Sequence, residues 1–283
     1  RLYMQTQLPT RVLGRTQLQV TQLGFGAMEL REVREEATEQ RAEAVLNAVL
    51  DAGINFIDTA PDYGLSEVRI GRYISHRRDE YLLATKCGCN VGPEGVRYEP
   101  RHIWTAEQLR KNMEESLQRM KTDHVDLLQL HNATVEDVEH GGLVEILQEL
   151  RQSGKTRFLG VSTDGFDLLQ FARMGVFDTF QIPYSALDRR FEDMMREAAE
   201  LGAGIIIRAG VAKGHRGGAE RQDKWDRARL EELCEGMNRH EFVLRYTLTN
   251  PDCHTTITGT IDPDHLAANV SAASAGQLPA ATY

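Results

Sequence analysis

The stretch INFIDTAPDYG, residues 54–64, is an apolar run that ends in polar side chains able to do chemistry. Asp58 closes the run and Tyr63 follows shortly after it. Two other runs end similarly, YLLATKC (81–87) with Lys86 and VDLLQLH (125–131) with His131. Because a parallel barrel gathers the carboxyl ends of its strands at one rim, we expect these four side chains to converge.

The rest of the chain repeats this unit. Further short runs rich in apolar and β-branched residues lie at 23–27, 156–163, 179–185, 204–210 and 255–260. Stretches with helical periodicity separate the runs, such as 105–120 with Leu109, Met113 and Leu117 in one stripe. Nearly continuous apolar runs are typical of parallel strands buried on both faces. Eight such units over about 250 residues predict an α/β fold, a (β/α)8 TIM barrel, as one domain over 1–283.

Three segments fall outside the repeat. RVLGRTQLQV (11–20) predicts an N-terminal β-hairpin that plugs the bottom of the barrel. The longest interval, between the seventh and eighth strands, holds GVAKGHRGG (210–218) and a charged stretch at 224–235, which predicts a mobile loop with an extra helix. The tail SAASAGQLPAATY (271–283) is small and polar, and we expect it to be poorly ordered.

Composition excludes several classes of protein. The chain has 283 residues and a formal charge of −9, which argues against nucleic acid or an anionic membrane as partner. No apolar run is long enough to span a bilayer. The four cysteines show no disulfide framework and the chain opens without a secretory leader, so we expect a cytoplasmic protein with reduced thiols. The expected partner is a small molecule, with the chain as monomer or homo-oligomer.

The four polar residues have the parts of a proton relay. The pKa of an unperturbed tyrosine is about 10, and a lysine ammonium beside Tyr63 would lower it by favouring the phenolate. A carboxylate would hold that lysine, and a neutral histidine would orient a carbonyl. Each residue also has a structural explanation: Asp58 as a turn cap, Tyr63 as a loop tyrosine, Lys86 as a surface charge and His131 as a core histidine. Four such coincidences at one rim favour a site.

Several segments, in their order along the chain, resemble the aldo-keto reductase superfamily. They are VLGRTQLQVTQLGFGAM (12–28), GINFIDTAPDYGLSEVRIG (53–71), TKCG (85–88), MEESLQRMKTDHVDLLQLH (113–131), GKTRFLGVST (154–163) and TGTIDPDHLAANV (258–270). The resemblance implies a (β/α)8 barrel and reversible hydride transfer between a nicotinamide dinucleotide and an aldehyde or ketone. It makes Asp58, Tyr63, Lys86 and His131 the catalytic tetrad and implies no metal.

The resemblance also implies a cofactor site. Ser162, Thr163 and Gln181 would hold the nicotinamide carboxamide, although Thr163 stands where the family more often has Asn. Arg208 would stack on the nicotinamide, with a structural ion pair as its alternative. The remaining positions are Val211, Lys213 and Gly214 for the pyrophosphate, Gly259, Thr260 and His265 for the adenosine phosphate, and Asn269 for adenine.

Cofactor preference and activity have alternatives. Family habit favours NADP(H), but His265 replaces an arginine of many NADP-dependent relatives, so NAD(H) stays possible. The alternative for Asn269 is an exposed helix residue. Rivals to the reductase are a cofactor-binding regulatory subunit with little turnover and a metal-dependent barrel hydrolase or isomerase. No zinc-ligand spacing is present in the sequence. Sugar oxidation is one branch of the family's activities, and Tyr98 and Trp104 are candidate pocket walls.

Overall fold

The computed structural model describes residues 7–31, 35–211 and 218–283. The strands, in chain order, are β1 (Thr10–Val12), β2 (Gln19–Thr21), β3 (Leu23–Gly26), β4 (Phe56–Asp58), β5 (Leu82–Cys87), β6 (Cys89–Val91), β7 (Arg97–His102), β8 (Val125–His131), β9 (Thr156–Ser162), β10 (Thr179–Pro183), β11 (Gly204–Arg208) and β12 (Thr255–Thr258). Eight of them close a barrel in the order β3-β4-β5-β8-β9-β10-β11-β12, and every neighbouring pair is parallel. The predicted barrel is confirmed.

Helices surround the barrel. They are α1 (Glu36–Asp51), α2 (Ser66–Tyr73), α3 (Ala106–Met120), α4 (Val135–His140), α5 (Leu143–Gln152), α6 (Leu168–Arg173), α7 (Glu192–Glu200), α8 (Gly218–Arg227), α9 (Arg239–Thr249) and α10 (Pro263–Ser274). In α3, Thr105 caps the first turn by accepting a hydrogen bond from the Gln108 amide at 3.2 Å. Leu109 and Met113 are fully buried, as the apolar stripe predicts. Among the described residues, no helix has the length and apolar character needed to cross a bilayer.

The N-terminal hairpin closes the amino end of the barrel. Strands β1 and β2 pair antiparallel, and Leu13 and Val20 pack in an apolar cluster with residues of β4, β5, β8 and β11. Gly14 has φ +51°, and a Cβ there would lie 2.4 Å from the amide nitrogen of Gly204, where β11 begins. Only glycine permits this approach. The predicted plug is confirmed.

The segment after β5 forms a hairpin that the sequence did not reveal. Strands β6 and β7 form an antiparallel hairpin over residues 89–102. Its second strand, RYEPRH, is mostly exposed, so it lacks the alternation of apolar and polar residues that would reveal a half-buried strand. The hairpin brings charged and aromatic side chains over the carboxyl end of the barrel.

The expectation of a poorly ordered tail is wrong. Leu278 is 4% exposed, and its amide donates to Thr249 Oγ1 of α9 at 2.8 Å. The Tyr283 ring lies 5.0 Å from the ring of Tyr246. The outer face of α9 supplies apolar surface that the tail covers, which composition of the tail alone cannot reveal. The extra helix predicted between the last two barrel strands is present as α8, whereas residues 212–217 lie outside the described residues.

Candidate active site

A buried ion pair forms the centre of the site. Lys86 Nζ, on β5, donates to Asp58 Oδ2 at 2.6 Å and to the Thr59 carbonyl at 2.9 Å. Both charged side chains are at most 1% exposed. Burial alone would lower the pKa of Lys86, but the Asp58 carboxylate outweighs it and raises the pKa. The lysine is therefore a fixed cation, as the sequence predicted.

The second oxygen of Asp58 binds two glutamines from other strands. Gln129 Nε2 and Gln181 Nε2 donate to Asp58 Oδ1 at 2.8 and 2.9 Å. Gln181 also donates to Gln129 Oε1 at 3.1 Å. Sequence reasoning missed Gln129. Its signal was a polar residue inside an apolar run, two positions before His131 and therefore on the same face of β8.

Tyr63 lies against the lysine and the histidine. Lys86 Nζ is 4.8 Å from the centre of the Tyr63 ring, and the rings of Tyr63 and His131 meet edge to face at 5.9 Å. Burial raises the pKa of Tyr63, and the opposing effect of Lys86 is too small to reverse the shift. The expected net lowering is therefore wrong: in this site the tyrosine keeps its proton at neutral pH, because desolvation disfavours the phenolate more than the cation favours it.

His131 is held from the side of its Nδ1. That atom lies 3.3 Å from Cys89 Sγ and 3.3 Å from Asp62 Oδ1. Burial lowers the pKa of His131 and prevails over Asp62, so the ring is neutral, as expected. Asp62 and Cys89 were not predicted. Their signal was position alone, since one directly precedes Tyr63 and the other begins the segment after β5.

The β6–β7 hairpin and the residues after it wall the site. Trp104 stacks on His102 at 5.5 Å between ring centres. Gly88 has φ +88°, and a Cβ there would lie 2.0 Å from Trp104 Cζ3, so the indole packs directly on this backbone. Tyr98 is 48% exposed at the rim and packs on Gly92. The hairpin thus fixes Trp104 and leaves Tyr98 accessible.

The residues assigned to the nicotinamide lie at neighbouring strand ends. Ser162 ends β9 and Thr163 follows it, and both are buried with Gln181 of β10. Ser162 Oγ donates to Gln181 Oε1 at a long 3.4 Å, and the Thr163 amide donates to the Gln181 carbonyl at 2.9 Å. Arg208, at the end of β11, makes an ion pair with Asp164 at 3.5 Å. The ion pair given as the structural alternative for Arg208 is therefore present, although a partly exposed pair of this kind contributes little stability. The stacking of Arg208 on the nicotinamide stays a prediction.

The adenosine positions lie around the start of α10. Thr260 Oγ1 accepts from the Asp262 amide at 2.9 Å, and Asp262 Oδ1 accepts from the Asp264 amide at 2.8 Å. His265 is 61% exposed, with Nδ1 4.0 Å from Asp262 Oδ2. Gly259 packs on the backbone of β3, since a Cβ there would lie 2.6 Å from a carbonyl oxygen of that strand.

Asn269 is not an exposed helix residue: it is 4% exposed, donates to Thr258 Oγ1 at 3.2 Å and contacts His240 Nε2 through Oδ1 at 2.6 Å. Of the pyrophosphate residues, Val211 is half-buried, whereas Lys213 and Gly214 lie outside the described residues.

The chain is similar in sequence to oxidoreductases over nearly its whole length. It is 30% identical to an uncharacterized oxidoreductase, YqkF, of Bacillus subtilis (strain 168), covering 95% of this chain and 92% of that protein. It is also 30% identical to L-galactose dehydrogenase of Arabidopsis thaliana, covering 94% and 88%.

Solved structures agree. The holo form of aldo-keto reductase AKR11C1 from Bacillus halodurans superimposes with a TM-score of 0.85 at 29% identity, over 97% of this chain and 94% of that one. The model of the aldo/keto reductase family matches residues 22–283. The chain, an oxidoreductase, belongs to the aldo/keto reductase family.

Proposed function

We propose that this protein interconverts an aldehyde or ketone and its alcohol with a nicotinamide dinucleotide, with Tyr63 as general acid in reduction and general base in oxidation. The observation that carries the proposal is the Lys86 ammonium, which contacts the Asp58 carboxylate on one side and the Tyr63 ring on the other. The ammonium can therefore stabilise the phenolate that forms when Tyr63 gives up its proton.

The residues of the chain account for the proton. The dinucleotide, when bound, supplies or accepts a hydride at the substrate carbon. In reduction, the Tyr63 hydroxyl gives its proton to the carbonyl oxygen, and Lys86 stabilises the resulting phenolate until water returns a proton. The raised pKa of Tyr63 suits this role, because the donor is protonated before each turnover. In oxidation the proton moves in the opposite sense.

His131 orients the carbonyl oxygen as a neutral ring. A hydrogen bond to a carbonyl requires N–H on the nitrogen that faces the substrate, so the other nitrogen must be an acceptor. Cys89 Sγ, 3.3 Å from His131 Nδ1, can donate to that acceptor. Asp62 Oδ1 lies equally near to this nitrogen, but an ionised carboxylate has no proton to donate to it.

The buried polar atoms at the ends of β9 and β10 fit a nicotinamide carboxamide. Ser162 Oγ has only its long 3.4 Å contact with Gln181 among the described residues, so it retains capacity for a ligand. Gln181 is mainly committed to Asp58 and Gln129. It therefore links the proposed cofactor site to the ion pair.

The start of α10 favours the cofactor without a 2′-phosphate. Family habit points to NADP(H), which needs a cation near this turn. Asp262 and Asp264 instead place two carboxylates there, and the Asp262 side chain already occupies the Asp264 amide. Because like charges repel, we propose that NAD(H) is the preferred form.

Initial rates with NADH and NADPH test that preference. Asp264→Asn removes one exposed carboxylate from the first turn and should improve kcat/KM for NADPH a few-fold, on the order of one screened charge interaction. Glu107→Gln, in the first turn of α3, is the matched control. A wild-type preference for NADPH, unchanged in Asp264→Asn, would contradict the proposal.

Sugars are the substrate branch that we propose for first assay. The relatives include proteins named L-galactose dehydrogenase and D-threo-aldose 1-dehydrogenase, the latter from a Pseudomonas species and 29% identical over 67% of this chain. The rim strand β7 is polar and exposed, with Arg97 and Arg101 beside the site. Such a rim can hydrogen-bond hydroxyl groups.

A cytoplasmic location is part of the proposal and agrees with four buried, unpaired cysteines.

Tyr63→Phe tests the catalytic role. We expect carbonyl reduction across a panel of sugars, aliphatic aldehydes and quinones to fall by about 10²- to 10⁴-fold, as for loss of a general acid. Binding of the dinucleotide, followed by fluorescence titration, should change little. Tyr81→Phe is the control, since its hydroxyl is buried without a hydrogen-bond partner among the described residues. Turnover by Tyr63→Phe within a few-fold of wild type would refute the assignment.

A regulatory subunit predicts another result. It would bind the dinucleotide tightly and turn over no member of the panel in either direction. Contacts join Asp58 to Lys86, Lys86 to Tyr63 and Tyr63 to His131. This connected set favours the enzyme, because a sensor needs no proton donor.

A further inference from the structure

A second cluster lies beside the ion pair, on the side of His131 that faces the hairpin. It consists of Cys89, His102 and His131, and one ligand atom from each lies within 4.8 Å of the others. The three residues begin β6, end β7 and end β8. Their convergence is produced by the β6–β7 hairpin, so no short motif in the sequence reveals it.

The distances suit a single metal ion. Zinc binds imidazole nitrogen at about 2.0–2.1 Å and cysteine sulfur at about 2.3 Å, so ligands on a tetrahedral ion are roughly 3.3–3.8 Å apart by that geometry. Cys89 Sγ and His131 Nδ1 are already 3.3 Å apart. The His102 ring centre is 5.4 Å from that of His131. Small side-chain movements are enough to place three ligands around one ion.

One buried atom of this cluster and one beside it lack hydrogen bonds among the described residues. Within the described part of the chain, His102 Nε2 and Asp62 Oδ1 have no hydrogen-bond partner. Asp62 Oδ1 faces His131 Nδ1 at 3.3 Å without a well-directed hydrogen bond, while Asp62 Oδ2 is taken by Arg97 and Arg101. A buried polar atom without a partner is costly and needs an explanation. A cation bound by Cys89, His102 and His131 would give His102 Nε2 the partner that it lacks.

We propose that Cys89, His102 and His131 bind a divalent transition-metal ion, with zinc as the expected ion and the fourth position open to a water molecule or a substrate. Zinc binds thiolate and imidazole well, whereas magnesium and calcium prefer oxygen ligands. On binding, the sulfur forms a bond to the metal and the thiol proton passes to solvent. The ion engages His131, so its presence inhibits carbonyl reduction reversibly. This last consequence rests on the proposed function, whereas metal binding does not.

Cobalt provides a direct readout that does not depend on activity. Full-length protein freed of metal with a chelator is titrated with Co²⁺, and the thiolate-to-cobalt charge-transfer absorption is followed. Zinc affinity is then measured by competition with a chromophoric chelator. We expect one equivalent of metal, displacement of Co²⁺ by Zn²⁺, and bleaching of the absorption band as zinc enters.

Two ligand variants and one control make the test specific. Cys89→Ser should abolish the charge-transfer band. His102→Gln should weaken zinc binding at least 10-fold, because even the loss of a residue that only hydrogen-bonds to a metal ligand typically costs 10-fold or more. Cys234→Ser is the control, because that buried thiol contacts the Leu230 carbonyl, which a serine hydroxyl can also reach. His102 is only half-buried, so its variant remains informative if Cys89→Ser fails to fold.

The outcomes separate the two proposals. Absence of the band in wild type, or equal zinc affinity in wild type and His102→Gln, would overturn the metal site. Stoichiometric zinc binding, together with no turnover of any carbonyl substrate by the metal-free protein, would support the metal site and count against the proposed function. Turnover that zinc inhibits in wild type, but at least 10-fold less potently in His102→Gln, would support both.

Discussion

The ion pair between Asp58 and Lys86 can be tested by a double-mutant cycle. The perturbations are Asp58→Asn, Lys86→Met and the two together. Asn keeps an oxygen that can accept from Gln129 and Gln181, which now donate to Asp58 Oδ1. It replaces the other oxygen by an N–H group. The cycle therefore isolates the contact between Asp58 Oδ2 and the ammonium, now 2.6 Å long.

The magnitudes follow from burial. With both side chains at most 1% exposed, removing one partner should cost about 3–5 kcal/mol, because it leaves a buried charge uncompensated or two donors face to face. In the double variant both charges are gone, and one buried N–H without an acceptor should cost about 1–3 kcal/mol. We therefore expect a coupling free energy of about 3 kcal/mol or more. A domain stable by about 5–15 kcal/mol tolerates each single change.

Urea unfolding followed by tryptophan fluorescence and circular dichroism measures the four free energies. The control cycle uses Asp193→Asn and Arg196→Met, an exposed pair on α7 with side chains 89% and 57% exposed. That pair should couple by less than about 1 kcal/mol. Additive costs at Asp58 and Lys86, within about 0.5 kcal/mol, would refute the reasoning. Failure of the double variant to fold when each single variant folds would do so as well.

Two further outcomes are expected. Burial alone would raise the pKa of Asp126, but the Leu83 amide and Arg78 outweigh burial and lower the pKa. The stability that this carboxylate contributes is therefore present above its unfolded pKa of about 3.9. It is lost as the pH falls through the pKa of the folded state. The deficit of Asp126→Asn relative to wild type should shrink below about pH 4, and an unchanged deficit in unfolding free energy from pH 7 to pH 3 would contradict this. Leu278→Ala should cost about 2–5 kcal/mol if the tail packs on α9 as described, whereas a loss below about 0.5 kcal/mol, measured by urea unfolding, would show that the tail is dispensable.

The sequence alone predicted the barrel and its main catalytic candidates. The boundaries of the apolar runs agree closely with the strands, because strands buried on both faces consist of nearly uninterrupted apolar residues. Asp58, Lys86 and His131 each end or nearly end such a run, so their convergence follows from parallel topology without knowledge of any contact.

Contacts between distant strands could be found only in the folded molecule. Gln129 and Gln181 reach Asp58 across 71 and 123 positions of chain. No local pattern encodes which polar side chain of one strand faces a carboxylate on another. The same holds for the direction of the Tyr63 pKa shift, because desolvation depends on everything packed around the phenol, whereas the sequence revealed only the lysine.

The sequence by itself therefore determined the architecture and the rim on which the chemistry lies, since hydrophobic periodicity is a local property of the chain. The tertiary structure alone decided which distant segments meet: the hairpin brings Cys89 and His102 to His131, and the tail covers α9. Each of these depends on the packing of segments far apart in sequence, and packing is decided by shape and burial in three dimensions rather than by the order of residues.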